Sequence, residues 1–410
     1  MQAFATSQLY LQTRSAQDNV ETLATRAMAR CPHPLSKEDT ANARTAWAFF
    51  QTFTDPTSGL APAIGRGNAV TPWEIGATLL AIVCAGRLGV IPAPVMRDRL
   101  HLCLASVALL PLGKTGLPGL KYGMRDRSPL APDGTPAARP DGWSARAIAR
   151  LISGLIVTAH HAPELAPQIS AIISGWDLAP LIHNGRFRSG HLRPNAAPKL
   201  IADLFLGYEQ YAARTACLIN LGAGPALDPR PVLRLHIHEG LTIAGDKRLG
   251  PGRFDAITLE PFFLEALEFG WRPEILEIAL GYFLAQKGRF ERTGTLTAHT
   301  EDALDRPPGF AFHAMLAGDR PFTSVSRTGN DLSQHACLST KAAFCWQALL
   351  PTPYSQKLKD AVGYLQTPNG WQAGRYENGG GINTAMSLNT NAVILEALHF
   401  QAHGPLFALQ

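Results

Sequence analysis

The chain has 410 residues, 46% of them hydrophobic and 17% charged, with a formal net charge of +5. This composition offers ample apolar surface for a large core and carries no disorder signature. The Lys and Arg residues are scattered rather than clustered, which argues against a nucleic-acid footprint, and no apolar run reaches spanning length, the best (Thr78 to Ile91) being broken by Arg87.

The start, Met1-Gln2-Ala3-Phe4-Ala5-Thr6, lacks the basic-then-apolar shape of a signal peptide. Apolar residues recur at helical spacing near 40–54, 73–88, 94–109, 143–159, 163–174, 200–218, 258–269, 272–287, 336–348, 354–365 and 387–400. Adjacent pairs are joined by short turns, as at Gly270-Trp271-Arg272-Pro273. A series of helical hairpins without a long linker predicts one closed helical array over residues 40–410, with 1–39 as an N-terminal extension packed on it. Strand signals are few. Val232 to His238 alternates polar and apolar strictly and predicts a half-buried strand with His236 and His238 on its polar face. Gly185 to Arg193 and Phe310 to Met315 predict further short strands. Long loops at 55–72, 111–142, 240–257 and 301–335 would gather at one rim of the array and shape a cleft.

Six cysteines show no CxxC pair, and Cys337 and Cys345 fall eight apart on one predicted helix, so neither a disulfide framework nor a zinc site is expected. His236, His238 and Glu239 make a poor metal trio, because strand alternation already accounts for the histidines. No phosphate loop or nucleophile elbow is present. The reading calls for no cofactor and no metal.

Acids beside aromatics carry the chemical signal. Pro72-Trp73-Glu74 opens an apolar helix, where Glu74 is either a capping acid or part of a sugar site, since sugars stack on aromatic faces and acids bond their hydroxyls. Glu301, Asp302 and Asp305 crowd five positions of a loop that ends at Arg306-Pro307-Pro308. Acids held that way can have their proton affinities pushed apart, as glycoside hydrolysis requires of its carboxyl pair. A solvated loop with Asp305 paired to Arg306 is the plainer reading. Tyr208-Glu209 and Glu260-Pro261-Phe262 each set one acid among aromatics. Trp371, Tyr376 and Glu377 share a turn-rich stretch before a helix with Asn389 and Asn391 in its apolar run, where buried amides need partners.

Together, Ala46 to Phe50, Thr57 to Leu60, Thr71 to Gly76, Gly142 to Ala145, Gly207 to Glu209, Glu260 to Trp271, Thr295 to Ala298, Glu301 to Pro308, Leu338 to Phe344, Pro353-Tyr354, Gly370-Trp371 and Leu388 to Ala392 resemble a bacterial family known as domain of unknown function 3131. The resemblance spans roughly residues 40 to 406 and implies a mainly all-α (α/α)6 barrel with a few short strands in its rim loops. It also implies similarity to β-1,2-glucanases and an envelope or periplasmic setting near polysaccharide synthesis. Relatives usually carry Asp at the position of Glu74 and an Asp in the helix after Gly142-Trp143-Ser144, where this chain reads Arg146-Ala147-Ile148. The expected function is therefore a glycoside hydrolase or transglycosylase on a bacterial polysaccharide, the alternative a non-catalytic glycan-binding protein. Expected catalytic residues are Glu301, Asp302, Glu74, Glu209 and Glu260, with the Glu301/Asp302 segment supplying one role. Expected substrate contacts are Trp73, Tyr122, Trp143, Tyr208, Asp305, Arg306, Lys341, Trp371, Tyr376, Glu377 and Asn391.

Overall fold

A computed structural model describes residues 14–193, 196–201, 205–238, 240–248 and 256–408. The described helices are α1 (Arg14–Met28), α2 (Lys37–Phe53), α3 (Pro72–Arg87), α4 (Ala93–Ala108), α5 (Ala145–His161), α6 (Ala166–Ser174), α7 (Tyr208–Leu218), α8 (Gly224–Leu227), α9 (Glu260–Phe269), α10 (Pro273–Thr293), α11 (Thr340–Leu349), α12 (Pro353–Asp360) and α13 (Leu388–His403). Helices α3, α5, α7, α9, α11 and α13 close an inner ring in that order, α13 returning to α3. Helices α2, α4, α6, α8, α10 and α12 alternate with them along the chain as an outer layer, α8 being cut to about one turn. Helix α1 packs on α10, so the N-terminal segment reaches the barrel wall.

This alternation sorts the connections. Each inner helix except the last, α13, runs into the next outer helix through a short turn, while each outer helix returns through a long loop. Antiparallel neighbours therefore put all the long loops at one rim, together with the N-termini of all six inner helices. The loops carry short antiparallel hairpins rather than continuous sheets. Local sequence sets where the inner helices start. Thr71 and Glu74 form a reciprocal capping box before the apolar run of α3, with Pro72 at the first position. Ser144 and Ser387 accept from the Ala147 and Thr390 amides to cap α5 and α13, each cap contributing about 1 kcal/mol. Helices α3 and α5 touch through glycines: a Cβ on Gly76 would lie 2.3 Å from the Arg150 carbonyl, and one on Gly154 2.6 Å from that of Gly76.

Inside the ring, the apolar core encloses one charged hub. Arg150 of α5 donates to Glu268 of α9 and to Glu396 of α13 (2.6 Å), while Tyr211 of α7 donates to Glu268 at 2.9 Å and Ser153 donates to it as well. Arg150, Glu268 and Glu396 are fully buried. Burial raises the Glu396 carboxyl, Arg150 pulls it back down, and the neighbouring Glu268 raises it further.

Several sequence expectations are corrected. The helix expected over 200–218 begins at Tyr208, because 196–201 pairs as a strand with 189–193 and Gly207 turns the chain at φ 93°. The helix expected from 336 begins at Thr340; Cys337 lies on a strand, so it does not share a helix with Cys345. The strand Leu233–His238 forms, but with the opposite face inward. Leu235 and Ile237 are exposed while His236 turns toward Asp319 (3.4 Å) and His238 toward Phe322, because the hairpin packs through its polar face. Glu239 lies outside the described residues. The segment from Glu301 to Ala303 is a strand paired with Phe310–His313, not an irregular loop. No described helix is long and apolar enough to cross a membrane.

Candidate active site

At the long-loop rim, the first or second residue of every inner helix enters one cluster: Trp73 (α3), Arg146 (α5), Tyr208 (α7), Glu260 (α9), Lys341 (α11) and Asn389 (α13). Six helix N-termini directed at one place create a field that favours carboxylates and other anions there. The strand Glu301–Ala303, from the loop between α10 and α11, lays its acids across this mouth.

Strand geometry separates the two adjacent acids. Successive side chains point to opposite faces. Glu301 accepts from Thr258 at 2.9 Å and faces the Tyr208 hydroxyl and Arg146. Asp302 points the other way, 3.6 Å from Lys341 Nζ and beside Ser339. Glu301 is 7% exposed and Asp302 1%. They are therefore not a side-by-side pair. Burial raises the Glu301 carboxyl, the charge of Glu260 raises it further, and Arg146 and Lys341 oppose. Burial lifts Asp302 to about 7, against the pull of Lys341 and of the Ser339 hydroxyl beside it.

Glu260 accepts from Asn389 Nδ2 at 2.6 Å through one oxygen and from Lys341 Nζ through the other. Asn389 Oδ1 accepts in turn from the Trp73 indole at 3.1 Å. The half-buried Trp73 ring stands 5.8 Å from Tyr208, edge to face, with the Arg150 guanidinium 5.4 Å from its centroid. Arg146 lies 4.6 Å from the Tyr208 centroid and 5.9 Å from that of Trp73, within cation–π range of both. Across the ring from α9, half-buried Glu74 spends one oxygen on the Thr71 amide (2.8 Å) and hydroxyl (2.5 Å). Burial raises its carboxyl against those bonds, and Arg327 of the rim adds a weaker opposing pull. It is thus a capping acid, and its second oxygen receives no hydrogen bond from a described residue in this geometry.

The structure gathers Trp73, Glu74, Tyr208, Glu260, Glu301, Asp302 and Lys341 at this rim. The other expected contacts serve the scaffold. Arg186 and Arg248 bind the same oxygen of Glu209, at 2.9 and 2.5 Å. Tyr122 is buried and donates to the Pro111 carbonyl at 2.8 Å; Trp143 is buried and donates to that of Arg188 at 2.8 Å. Asp305 takes the Tyr376 hydroxyl (2.6 Å), the Thr384 amide (2.9 Å) and Arg306, whose guanidinium covers the Tyr376 ring at 4.0 Å. These bonds tie the Glu301 strand to the last rim loop. Glu377 is bound by Arg289 and His299. Trp371 lies in the core, donating to the Asn42 carbonyl at 3.1 Å, and Asn391 brackets its backbone.

Sequence reasoning missed Arg146, Thr258 and the role of Asn389. The signal was positional: each is at or just before an inner-helix start, which becomes visible once inner and outer helices are told apart. Asn389 and Asn391 sit two apart on a helix, about 200° around its axis, so only one can face the mouth.

The sequence profile described as Protein of unknown function (DUF3131) matches residues 41–404. The chain belongs to that family. No curated protein matches the sequence. Among solved structures, a candidate glucoamylase from Bacteroides caccae is similar at 16% identity and TM-score 0.67, over 90% of this chain and 94% of that one. An endo-β-1,2-glucanase from Chitinophaga pinensis, seen with sophorotriose and glucose, is similar at 14% identity and TM-score 0.64, over 91% and 94%. A β-1,2-glucanase from Parabacteroides distasonis is similar at 12% identity and TM-score 0.65, over 92% of this chain and 58% of that one. At such identities the likeness establishes the fold, the (α/α)6 barrel built above.

Proposed function

We propose that this protein is a glycoside hydrolase or transglycosylase of a bacterial polysaccharide, with Glu301 as the proton donor to the leaving oxygen. The observation that carries the reading is the rim cluster, where a carboxyl with raised proton affinity lies among the aromatic rings of Trp73 and Tyr208. A protonated acid is what a departing sugar oxygen needs at neutral pH. Glu74, on the inner helix opposite α9, is the second carboxyl, because its fellow candidate Glu209 is held as a carboxylate between Arg186 and Arg248, outside the cluster of inner-helix starts. Asp302 supports from behind the strand. The β-1,2-glucanases among the similar structures agree with a glucan-like substrate, and the envelope setting that the family resemblance implies agrees with a polymer made and trimmed there, next to a polysaccharide-synthesis complex.

A second reading, a glycan-binding protein without turnover, draws on Arg146, which stands at the mouth in the helix where relatives carry an acid. One experiment separates the two. The pure protein is incubated with a panel of bacterial glucans and acidic exopolysaccharides, and the products are analysed. New oligosaccharides from one polymer, lost in Glu301→Gln with the circular-dichroism spectrum unchanged, are expected. Retarded migration in a gel holding one polymer, without products, would establish the binding protein instead. Full activity in Glu301→Gln would remove Glu301 from the chemistry.

A further inference from the structure

We infer that residues 404–407, which follow α13, form an acid-released clamp: a cluster of neutral histidines holds this tail against the end of the barrel opposite the candidate site, and protonation of the cluster frees it. The clamp does not depend on the glycoside-hydrolase reading.

Backbone bonds seat the tail. Gly404 ends α13 at φ 79°, and the chain then crosses to the C-terminus of α9. There the Leu406 amide donates to the Leu267 carbonyl at 3.0 Å and the Phe407 amide donates to that of Glu268 at 2.7 Å. These carbonyls lie in the last turn of α9 and have no partner within the helix. The Leu406 carbonyl accepts in turn from His161 Nε2 of α5 at 2.8 Å, and Leu406 is 1% exposed. The tail therefore ties α13, α9 and α5 together, and one of its anchors is the residue whose carboxylate holds Arg150 in the central hub.

Four imidazoles surround this junction, with ring centroids 4.9 Å apart for His160 and His161, 6.0 Å for His161 and His399, and 5.0 Å for His399 and His403. His160 also stands edge to face with Phe407 at 5.1 Å. His403 donates to the Arg87 carbonyl at 3.1 Å, which brings in the end of α3. The titratable groups that face His161 and His399 are thus Arg87 from α3, His160 from α5 and His403 from α13. Glu268 of α9 and Glu396, one turn back along α13, are held by Arg150 inside the ring, and Glu164 beyond α5 is exposed.

Imidazoles ionise near pH 6.5. Helix C-termini favour positive charge, and Arg87, His160 and His403 are exposed and can carry it in solvent. His399 is 1% exposed and His161 is half-buried. A charge on either ring would leave water and stand beside other cations, and that penalty outweighs the helix ends. Burial, and less strongly these neighbours, lower His161 to about 4 and His399 to about 3. Release of the tail lets water reach both rings. The seated tail therefore loses stability as pH falls below about 6.5, by about tenfold per pH unit for each ring, until the seated-state values are reached.

Hydrogen exchange of the Leu406 and Phe407 amides in the whole protein, divided by the intrinsic rate at each pH, tests the clamp. Between pH 6 and 4.5 their protection is expected to fall by about 10-fold to 100-fold per unit, while the buried α3 amides from Leu79 to Val83 keep theirs. His161→Gln retains a donor for the Leu406 carbonyl but takes up no proton, and His399→Leu removes the buried ring. Each variant should make the fall shallower by about tenfold per unit. Tail protection that is independent of pH overturns the inference, as does a tail already unprotected at pH 7. A fall shared equally by the α3 amides also overturns it, because the whole barrel then unfolds in acid. So does an unchanged slope in both variants; should His399→Leu not fold, His161→Gln decides alone.

Discussion

Asp302→Asn should stabilise the protein, and increasingly so as the pH rises. Asp302 is 1% exposed, and burial lifts its carboxyl from an ordinary 3.8 to about 7. Between those values the folded chain holds a proton that the unfolded chain has released, so stability falls as pH increases and levels off above about 7. At 1.36 kcal/mol per unit, the wild type carries a penalty of roughly 4 kcal/mol at pH 8. Asparagine has the shape of the protonated acid and never ionises. The advantage of Asp302→Asn over wild type should therefore grow by about 3 kcal/mol between pH 5 and pH 8, minus whatever attraction Lys341 loses. Lys341 keeps its bond to Glu260, so that loss is the smaller quantity. Urea unfolding followed by far-ultraviolet circular dichroism at the two pH values measures it directly. An advantage independent of pH, or a variant less stable than wild type at pH 8, would refute the reasoning and mean that Asp302 is ionised in the fold and needed there.

Arg150→Ala would leave Glu268 and Glu396 buried without their cation; a loss of about 3–5 kcal/mol is expected in denaturant unfolding, the cost of breaking a buried pair from one side. Asp305→Ala removes the acceptor of the Tyr376 hydroxyl and of the Thr384 amide, freeing the strand that bears Glu301. It should cost about 1–3 kcal/mol of stability, seen in the same titration. On a responsive polymer it should lower kcat more than it raises KM, because the acid and not the sugar platform is displaced.

Apolar spacing predicted every inner helix and every outer helix except the one-turn α8, and Pro72 with Glu74 marked the start of α3. These signals were legible because helix period, caps and turns depend on residues only a few positions apart. The motifs that resemble the family were legible for the same reason. The sorting of the acids was not. Glu209, Glu260, Glu301 and Asp302 look alike in sequence, each an acid near aromatics, yet one is locked by two arginines, one by an amide and a lysine, and two face opposite sides of a strand. Those partners meet only when the ring closes. Lys341 and Glu260 are 81 residues apart, Asn389 and Glu260 129, and Arg150 and Glu396 246. A carboxyl's proton affinity is set by the charges and solvent around it rather than by its neighbours in the chain. Apolar periodicity and local motifs thus gave the helical stretches and the family, while the starts of α7 and α11 and the partners of each acid came only with the tertiary structure, because strand pairing and ring closure join residues far apart in the chain.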